Sequence, residues 1–192
     1  MNSFNWDTSF LVDFNLHTGF SETAQVTKRQ LSQMKDMFSD KPAVHSILEK
    51  DDPVIYEFYE LGAPEEAGHL SFGTTILHPG IIGEEYYMTK GHFHIILDTA
   101  EVYYTLKGEG YMVMENPEGD TLEMPLRPGK AIYVPKRYAH RSVNTGRKPL
   151  IMFFTFGADS GHDYGTIETK GYHKLILEKD GRPAIVDNPH WR

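Results

Sequence analysis

Three histidines and one glutamate stand at spacings that can bring their side chains together. His92 and His94 are two residues apart, and alternate residues of a β-strand project from the same face. Glu101 opens the next predicted strand, and His140 directly precedes a later one. Three imidazoles and a carboxylate form a nitrogen and oxygen ligand set that suits Fe(II), Mn(II), Ni(II) or Zn(II). The spacing therefore predicts a divalent-metal site to which three strands contribute.

The residues around these ligands follow two known motifs. Residues 92–108 read H-x-H-x6-E-x6-G and resemble the first cupin motif, with a lengthened gap before the glutamate. Residues 129–144 read G-x5-P-x-R-x2-H-x3-N and resemble the second motif, with Arg137 where the generic pattern has glycine. Tyr86 replaces another generic glycine, six residues before the first histidine. The resemblance implies a cupin, an all-β jelly-roll barrel that holds a metal ion.

The segments beside the two motifs resemble one family of cupins, the cupin-type glucose-6-phosphate isomerases. The longer gap between His94 and Glu101 is this family's own version of the first motif. The segments that carry the resemblance are residues 74–80, 89–98, 100–103, 133–143, 161–166 and 186–191. The likeness implies an isomerase that interconverts glucose 6-phosphate and fructose 6-phosphate. It also implies a homodimer with one divalent metal per subunit, commonly iron.

The resemblance assigns roles to individual residues as well. The metal would be held by His92, His94, Glu101 and His140. The phosphate end of the substrate would contact Thr75, Thr89 and Gly91, with Tyr56 and Tyr103 beside them. His162 and Tyr164 would lie near the sugar, and Phe156 stands where some relatives have a tyrosine. If a tyrosine hydroxyl contributes to catalysis in those relatives, it does not do so here.

The chemistry of the phosphate residues agrees with these roles, but strand parity raises a difficulty. Threonine hydroxyls donate hydrogen bonds to phosphate oxygens, and Gly91 permits a close backbone approach. If His92 and His94 point inward along a regular strand, Thr89 points outward. Thr89 can therefore face the site only if the strand is irregular, and Gly91 could supply the irregularity.

Aldose–ketose isomerisation moves a hydrogen between C1 and C2 of the open-chain sugar and shifts the carbonyl group. A divalent cation can hold both oxygens and stabilise the negative charge that develops on them. Glu101 is the first candidate for the base, although a metal-bound carboxylate is a weaker base than a free one. Either Glu101 leaves the metal during the reaction, His162 takes part, or the hydrogen moves as a hydride.

Two other functions are compatible with the same ligands. A cupin Fe(II) dioxygenase would bind O2 at the open metal positions. A non-catalytic cupin would bind a sugar phosphate or a metal without turnover. The group formed by Thr75, Thr89 and Gly91 favours a phosphorylated ligand over an aromatic or thiol ligand.

The rest of the chain predicts one domain with an all-β body. Its 192 residues include 11 Phe, 11 Tyr, 17 Gly and 11 Pro, a composition typical of short strands joined by turns. Residues 27–50 have helical periodicity, with a capping box at Thr27 and Gln30 and a second short helix after Asp40. We expect residues 1–53 to pack on a barrel formed by residues 54–192. The predicted strands are 54–59, 70–77, 85–94, 101–106, 111–115, 131–134, 141–143, 150–156 and 172–177.

Charge and composition exclude several functions. The formal net charge of -8, without a cluster of Lys and Arg, argues against nucleic-acid binding. The absence of Cys excludes disulfides and thiolate ligands and fits a reducing compartment. Residues 1–10 lack a basic n-region, and the longest apolar run, residues 150–154, is too short to cross a bilayer. We therefore expect a cytoplasmic protein without a membrane segment.

Overall fold

The computed structural model describes residues 4–191, and these fold mainly into antiparallel β-strands. The strands are β1 (Gln25–Gln30), β2 (Val54–Glu60), β3 (Leu70–Leu77), β4 (Ile81–Ile82), β5 (Glu85–Tyr86), β6 (Glu101–Lys107), β7 (Gly110–Glu115), β8 (Thr121–Leu126), β9 (Ala131–Val134), β10 (Ala139–Asn144), β11 (Leu150–Gly157), β12 (Lys174–Lys179) and β13 (Arg182–Asp187). The helices are α1 (Lys41–Leu48) and α2 (Gly165–Lys170), with two 3-10 turns at Leu31–Gln33 and Lys35–Met37.

The strands form three sheets. The largest has the order β1-β2-β3-β11-β6-β9, and the other two have the orders β10-β7-β8 and β13-β12-β5-β4. An isolated bridge between Met88 and Val143 joins the segment after β5 to β10, so the two smaller sheets act as one wall facing the large sheet. Fully buried side chains such as Met112, Leu126 and Leu150 fill the space between the walls. The predicted all-β jelly-roll barrel is confirmed.

The first predicted helix, which runs from Thr27 to Phe38, is wrong, because these residues form most of β1 and the two 3-10 turns. Residues 25–30 form β1, which pairs with β2 from Gln25 opposite Glu60 to Gln30 opposite Val54. A capping box does occur, but it lies one turn later, between Gln30 and Gln33, and opens only a 3-10 turn. Hydrogen bonding to the edge of the large sheet outweighs the weak local preference for helix at these residues.

The buried apolar face and the second helix of the N-terminal prediction agree with the structure. Leu31, Met34 and Phe38 are almost fully buried, as their apolar spacing indicates. The helix predicted after Asp40 is α1, and the Asp40 side chain accepts a hydrogen bond from the backbone N–H of Ala43 at 2.9 Å. The division of the chain at residue 53 stays a prediction.

The predicted strand at residues 85–94 is regular only at its beginning. Beyond β5, Met88, His92 and Phe93 form isolated bridges to other segments instead of a continuous ladder. Gly91 has a φ of +74°, in the left-handed region, which breaks the alternation of side chains. The predicted irregularity at Gly91 is therefore present.

Several elements were not anticipated from the sequence. β8 contains Pro125, which a central strand would exclude, but β8 is the edge strand of its sheet. β13 pairs with β12 across the predicted turn at Asp180 and Gly181. α2 lies where the sequence indicated only a loop. Neither helix in residues 4–191 has the length and apolarity needed to cross a bilayer.

Candidate metal centre and substrate cavity

The four predicted metal ligands converge inside the barrel. Glu101 is the first residue of β6 and His140 the second residue of β10, while His92 and His94 come from the irregular segment between β5 and β6. One ligand atom from each residue lies within 4.8 Å of those of the others. Glu101 Oε2 is 2.9 Å from Nε2 of His140 and 3.3 Å from Nε2 of His94.

The ligand atoms have the properties that a cation site requires. Nε2 of His92, Nε2 of His94 and both carboxylate oxygens of Glu101 are buried and have no partner of hydrogen-bond geometry among residues 4–191. A buried polar atom without a partner costs free energy. A divalent cation bound between the four side chains would satisfy all of these atoms, so the residues present fit a metal ion.

Two of the histidines are held in the tautomer that directs Nε2 to the centre. Nδ1 of His94 lies 3.3 Å from the carbonyl oxygen of Gly161, and Nδ1 of His140 lies 3.5 Å from that of Tyr138. An N–H at Nδ1 donates to each carbonyl and leaves the Nε2 lone pair for a cation.

The electrostatic environment keeps His92 and Glu101 in the protonation states that bind metal. Burial lowers the pKa of His92 well below its ordinary value, and the nearby His140 and His162 lower it further. Burial alone would raise the pKa of Glu101, but the contacts with His140 and His94 outweigh it and hold the pKa well below the usual range. The imidazole is therefore neutral and the carboxylate ionised at neutral pH.

A cavity of about 270 Å³ opens beside the ligand group. It is lined by the predicted site residues Tyr56, Thr75, Thr89, Gly91, His92, Glu101, Tyr103, His140, His162 and Tyr164. His94 is the one predicted site residue outside this lining, and it completes the ligand group behind Glu101. The structure thus brings together every residue that the sequence singled out.

The turn at residues 89–91 forms one end of this cavity. A Cβ added at Gly91 would lie 2.4 Å from the hydroxyl oxygen of Tyr172 and 2.9 Å from the carbonyl oxygen of His140, so no larger residue fits. Oγ1 of Thr89 accepts a hydrogen bond from the backbone N–H of Ser142 at 3.0 Å. Arg141 stabilises the turn, because its Nη2 donates a hydrogen bond to the Lys90 carbonyl oxygen at 3.0 Å.

The loop that carries His162 and Tyr164 is held against the metal ligands. Asp163 fixes the start of α2, because its Oδ1 and Oδ2 accept hydrogen bonds from the backbone and hydroxyl of Thr166 at 3.2 and 2.6 Å. The ring of His162 stacks on Tyr164 and lies 4.3 Å from that of His92, measured between centroids. Burial lowers the pKa of His162 to about 4 and raises that of Tyr164 to about 12.

Phe156 lines the cavity as well. Phe156 lies at the metal end, with its ring centroid 5.6 Å from that of His94 and 5.2 Å from that of His162, and it supplies no hydroxyl there.

Glu60 also lines the cavity and was missed by sequence reasoning. The sequence pattern that could have identified Glu60 is its spacing of four residues from Tyr56, because both then project from the same face of β2.

A jelly-roll barrel that encloses three histidines and one glutamate defines the protein as a cupin whose buried ligand group could hold a metal ion. The family model described as glucose-6-phosphate isomerase matches residues 28–191. The chain therefore belongs to the glucose-6-phosphate isomerase family.

Similar proteins include curated isomerases from archaea. A glucose-6-phosphate isomerase of Thermococcus litoralis is 46% identical over 183 residues, which cover 95% of this chain and 96% of the relative. A glucose-6-phosphate isomerase of Pyrococcus furiosus is also 46% identical, over 95% of this chain and 97% of its own. Among solved structures, a Bacillus subtilis oxalate decarboxylase is similar over 59% of this chain and 29% of its own, at 21% identity and a TM-score of 0.45.

Proposed function

We propose that this protein is a metal-dependent isomerase that interconverts glucose 6-phosphate and fructose 6-phosphate. The observation that carries the proposal is that the buried ligand group and the turn at Thr89 and Gly91 border one cavity. Such a cavity can hold the reacting carbons at one end and an anionic group at the other. Family membership supplies the substrate pair.

The metal part of the proposal assigns His92, His94, Glu101 and His140 as the ligands of one divalent cation. We propose Fe(II), and Mn(II), Ni(II) and Zn(II) suit the same nitrogen and oxygen donors. A cation bound there supplies Lewis-acid stabilisation for negative charge on the substrate oxygens at C1 and C2.

The phosphate part assigns Thr75, Thr89 and Gly91, with Tyr56 and Tyr103 beside them. The left-handed backbone at Gly91 is a conformation that can present peptide N–H groups to an anion. Burial raises the pKa of Tyr56, and its hydroxyl therefore stays protonated and can donate a hydrogen bond to a phosphate oxygen.

The proton-transfer part assigns Glu101 and His162. The ionised carboxylate of Glu101 faces the cavity where the reacting carbons would lie, and it can take up a proton from C1 or C2. The neutral imidazole of His162 can carry a proton to or from a sugar oxygen, with Tyr164 stacked on it to fix its ring. Phe58, Phe154 and Phe156 form an apolar part of the cavity lining.

We also propose that the protein acts as a cytoplasmic homodimer. The absence of Cys fits a reducing compartment. The edge strand β8 exposes Leu122 and Met124, at 39% and 46% of their surfaces, and an interface between subunits would cover such side chains.

A coupled assay tests the catalytic proposal. Fructose 6-phosphate is offered to chelated protein and to the same protein reloaded with Fe(II) or Mn(II), and glucose 6-phosphate formation is followed. We expect turnover only with metal and very poor turnover of unphosphorylated fructose, because binding of the phosphate positions the reacting carbons. Full activity of the chelated protein, or no activity at confirmed occupancy with each metal, would overturn the proposal.

A further inference from the structure

The cavity contains a second carboxylate, outside the metal ligand group. Glu60 is the last residue of β2 and lines the cavity together with Tyr56 and Phe58. These three residues alternate along the strand, so their side chains project from the same face. Neither the metal site nor the phosphate turn accounts for Glu60.

Glu60 is fixed in place but has no cationic partner. The Ser71 hydroxyl donates a hydrogen bond to Oε1 of Glu60 at 2.5 Å. Within residues 4–191, no Lys, Arg or His nitrogen lies within 4.0 Å of the carboxylate, and Oε2 accepts no hydrogen bond. Burial raises the pKa of Glu60, and the charge of Glu101 adds to the effect. A carboxylate in such surroundings gains stability from a ligand that donates hydrogen bonds.

The sheet register places Glu60 across the cavity wall from the metal group. Glu60 pairs with Gly73, and a side chain at Gly73 would collide with the Phe154 ring at 2.9 Å. The Tyr59 carbonyl oxygen and the Phe154 ring occupy that position, so Phe154 packs close to the strand beside Glu60. Two residues further along the sheet, Ser71 on β3 pairs with Phe156 on β11, and Phe156 pairs with Glu101 on β6.

Charge decides which part of the substrate can approach Glu60. Tyr56, beside the phosphate turn, lies four residues away on β2, or about 13 Å at the usual rise of a strand. A phosphate would be repelled by the carboxylate, whereas hydroxyl groups donate hydrogen bonds to it. The adjoining wall consists of phenylalanine rings, which cannot bind hydroxyls in this way.

We propose that Glu60 binds the hydroxyl groups of the substrate's carbon chain and thereby helps to select sugar phosphates by their hydroxyls. Ser71 is the residue that positions the carboxylate. The proposal rests on the proposed function, because it takes the substrate to be a hexose phosphate.

The test measures binding instead of turnover. Sorbitol 6-phosphate, which has the hydroxyl chain but no carbonyl, and inorganic phosphate, which has no hydroxyl chain, are titrated calorimetrically into metal-loaded wild type, Glu60→Gln and Glu60→Ala. Because a hydrogen bond to a charged group changes a binding constant by about 10- to 150-fold, we expect the Kd for sorbitol 6-phosphate to rise by that factor. The Kd for inorganic phosphate is expected to stay within about twofold, since the phosphate lies away from Glu60.

Glu57→Gln provides the matched control. Glu57 lies on the same strand but on the opposite face, where it pairs with Lys28 at 3.4 Å and His78 at 3.6 Å. Its substitution is expected to leave both binding constants unchanged. An unchanged Kd for sorbitol 6-phosphate in both Glu60 variants would overturn the proposal, as would an equal loss for both ligands. If the wild type binds sorbitol 6-phosphate through Glu60 but does not isomerise fructose 6-phosphate, the proposed function fails, and only the binding of hydroxyl groups by Glu60 stands.

Discussion

The protonation state of each buried side chain decides what the site can do. In the metal-free protein, the ionised Glu101 and the neutral His92 lie within one buried group of ligand atoms. Protons and metal ions therefore compete for the same nitrogen atoms. At neutral pH the arrangement favours the metal, because burial opposes protonation of His92.

His162 makes the stability of the metal-free protein depend on pH. Its pKa is about 4 in the folded protein and 6.5 ordinarily, so between these values the unfolded chain binds a proton that the folded protein does not. Stability therefore falls as the pH decreases from about 6.5 toward 4. At pH 5 the loss from this residue is at most about 2 kcal/mol.

Denaturant unfolding of metal-free wild type and His162→Gln at pH 7.5 and pH 5 measures this effect. We expect the variant to lose less stability on acidification, because it cannot bind the extra proton when it unfolds. Equal losses in the two proteins would show that the imidazole of His162 is not held in its neutral form.

The two roles proposed for Glu101 can be separated with Glu101→Gln, which keeps the shape and one coordinating oxygen but removes the charge and the basicity. With three histidines intact, the variant is expected to bind metal when it is supplied in excess. If Glu101 transfers the proton, turnover of fructose 6-phosphate should fall by about 10²- to 10⁴-fold. The measurement is the rate at saturating substrate, with occupancy checked by elemental analysis. A near-normal rate at full occupancy would mean that Glu101 is only a ligand.

At the scale of the elements, the turn at Gly91 connects the backbone to the site. We expect Gly91→Ala to destabilise the protein and to raise the KM for fructose 6-phosphate, because the new Cβ would meet the Tyr172 hydroxyl at 2.4 Å. The matched control is Gly68→Ala, since Gly68 also has a positive φ but has open space around it. The control pays only the strain of the positive φ, about 1 kcal/mol. If both variants lose the same stability and keep the same KM, the contact with Tyr172 does not position the turn.

The same elements show how far the sequence could predict the structure. The four candidate metal ligands could be predicted from the sequence, because a two-residue spacing and two local motifs identify them. Neither pattern depends on contacts between distant parts of the chain. β1 was misassigned because its partner, β2, lies more than twenty residues away, and pairing with it outweighs local propensity. Glu60 was missed for a related reason. Its period-two spacing from Tyr56 indicates only the face of β2 on which it lies, and its position in the cavity also depends on the register between β2 and β3.

At the scale of the whole molecule, one buried carboxylate ties the C-terminal segment to the barrel. Glu115, at the end of β7, has no exposed surface. Its oxygens accept hydrogen bonds from the backbone N–H of His173 at 2.6 Å and from Nε1 of Trp191 at 3.0 Å, and Lys170 Nζ lies 2.6 Å away. The ring of Trp191 also stacks on His173. This cluster fixes both ends of the segment that runs from α2 to the last described residue.

Because α2 follows the His162 loop directly, the cluster around Glu115 also affects the position of that loop in the site. We expect Glu115→Gln to reduce the free energy of unfolding by about 3 kcal/mol, since it leaves Lys170 without its charge partner and turns an amide group toward another donor. Urea denaturation of the metal-free protein measures the loss. The matched control is Glu109→Gln, which breaks an exposed pair with Arg127 and should cost less than about 1 kcal/mol. If the two variants are equally stable, the Glu115 cluster does not hold the C-terminal segment, and the position of α2 must depend on the burial of Ile167 instead.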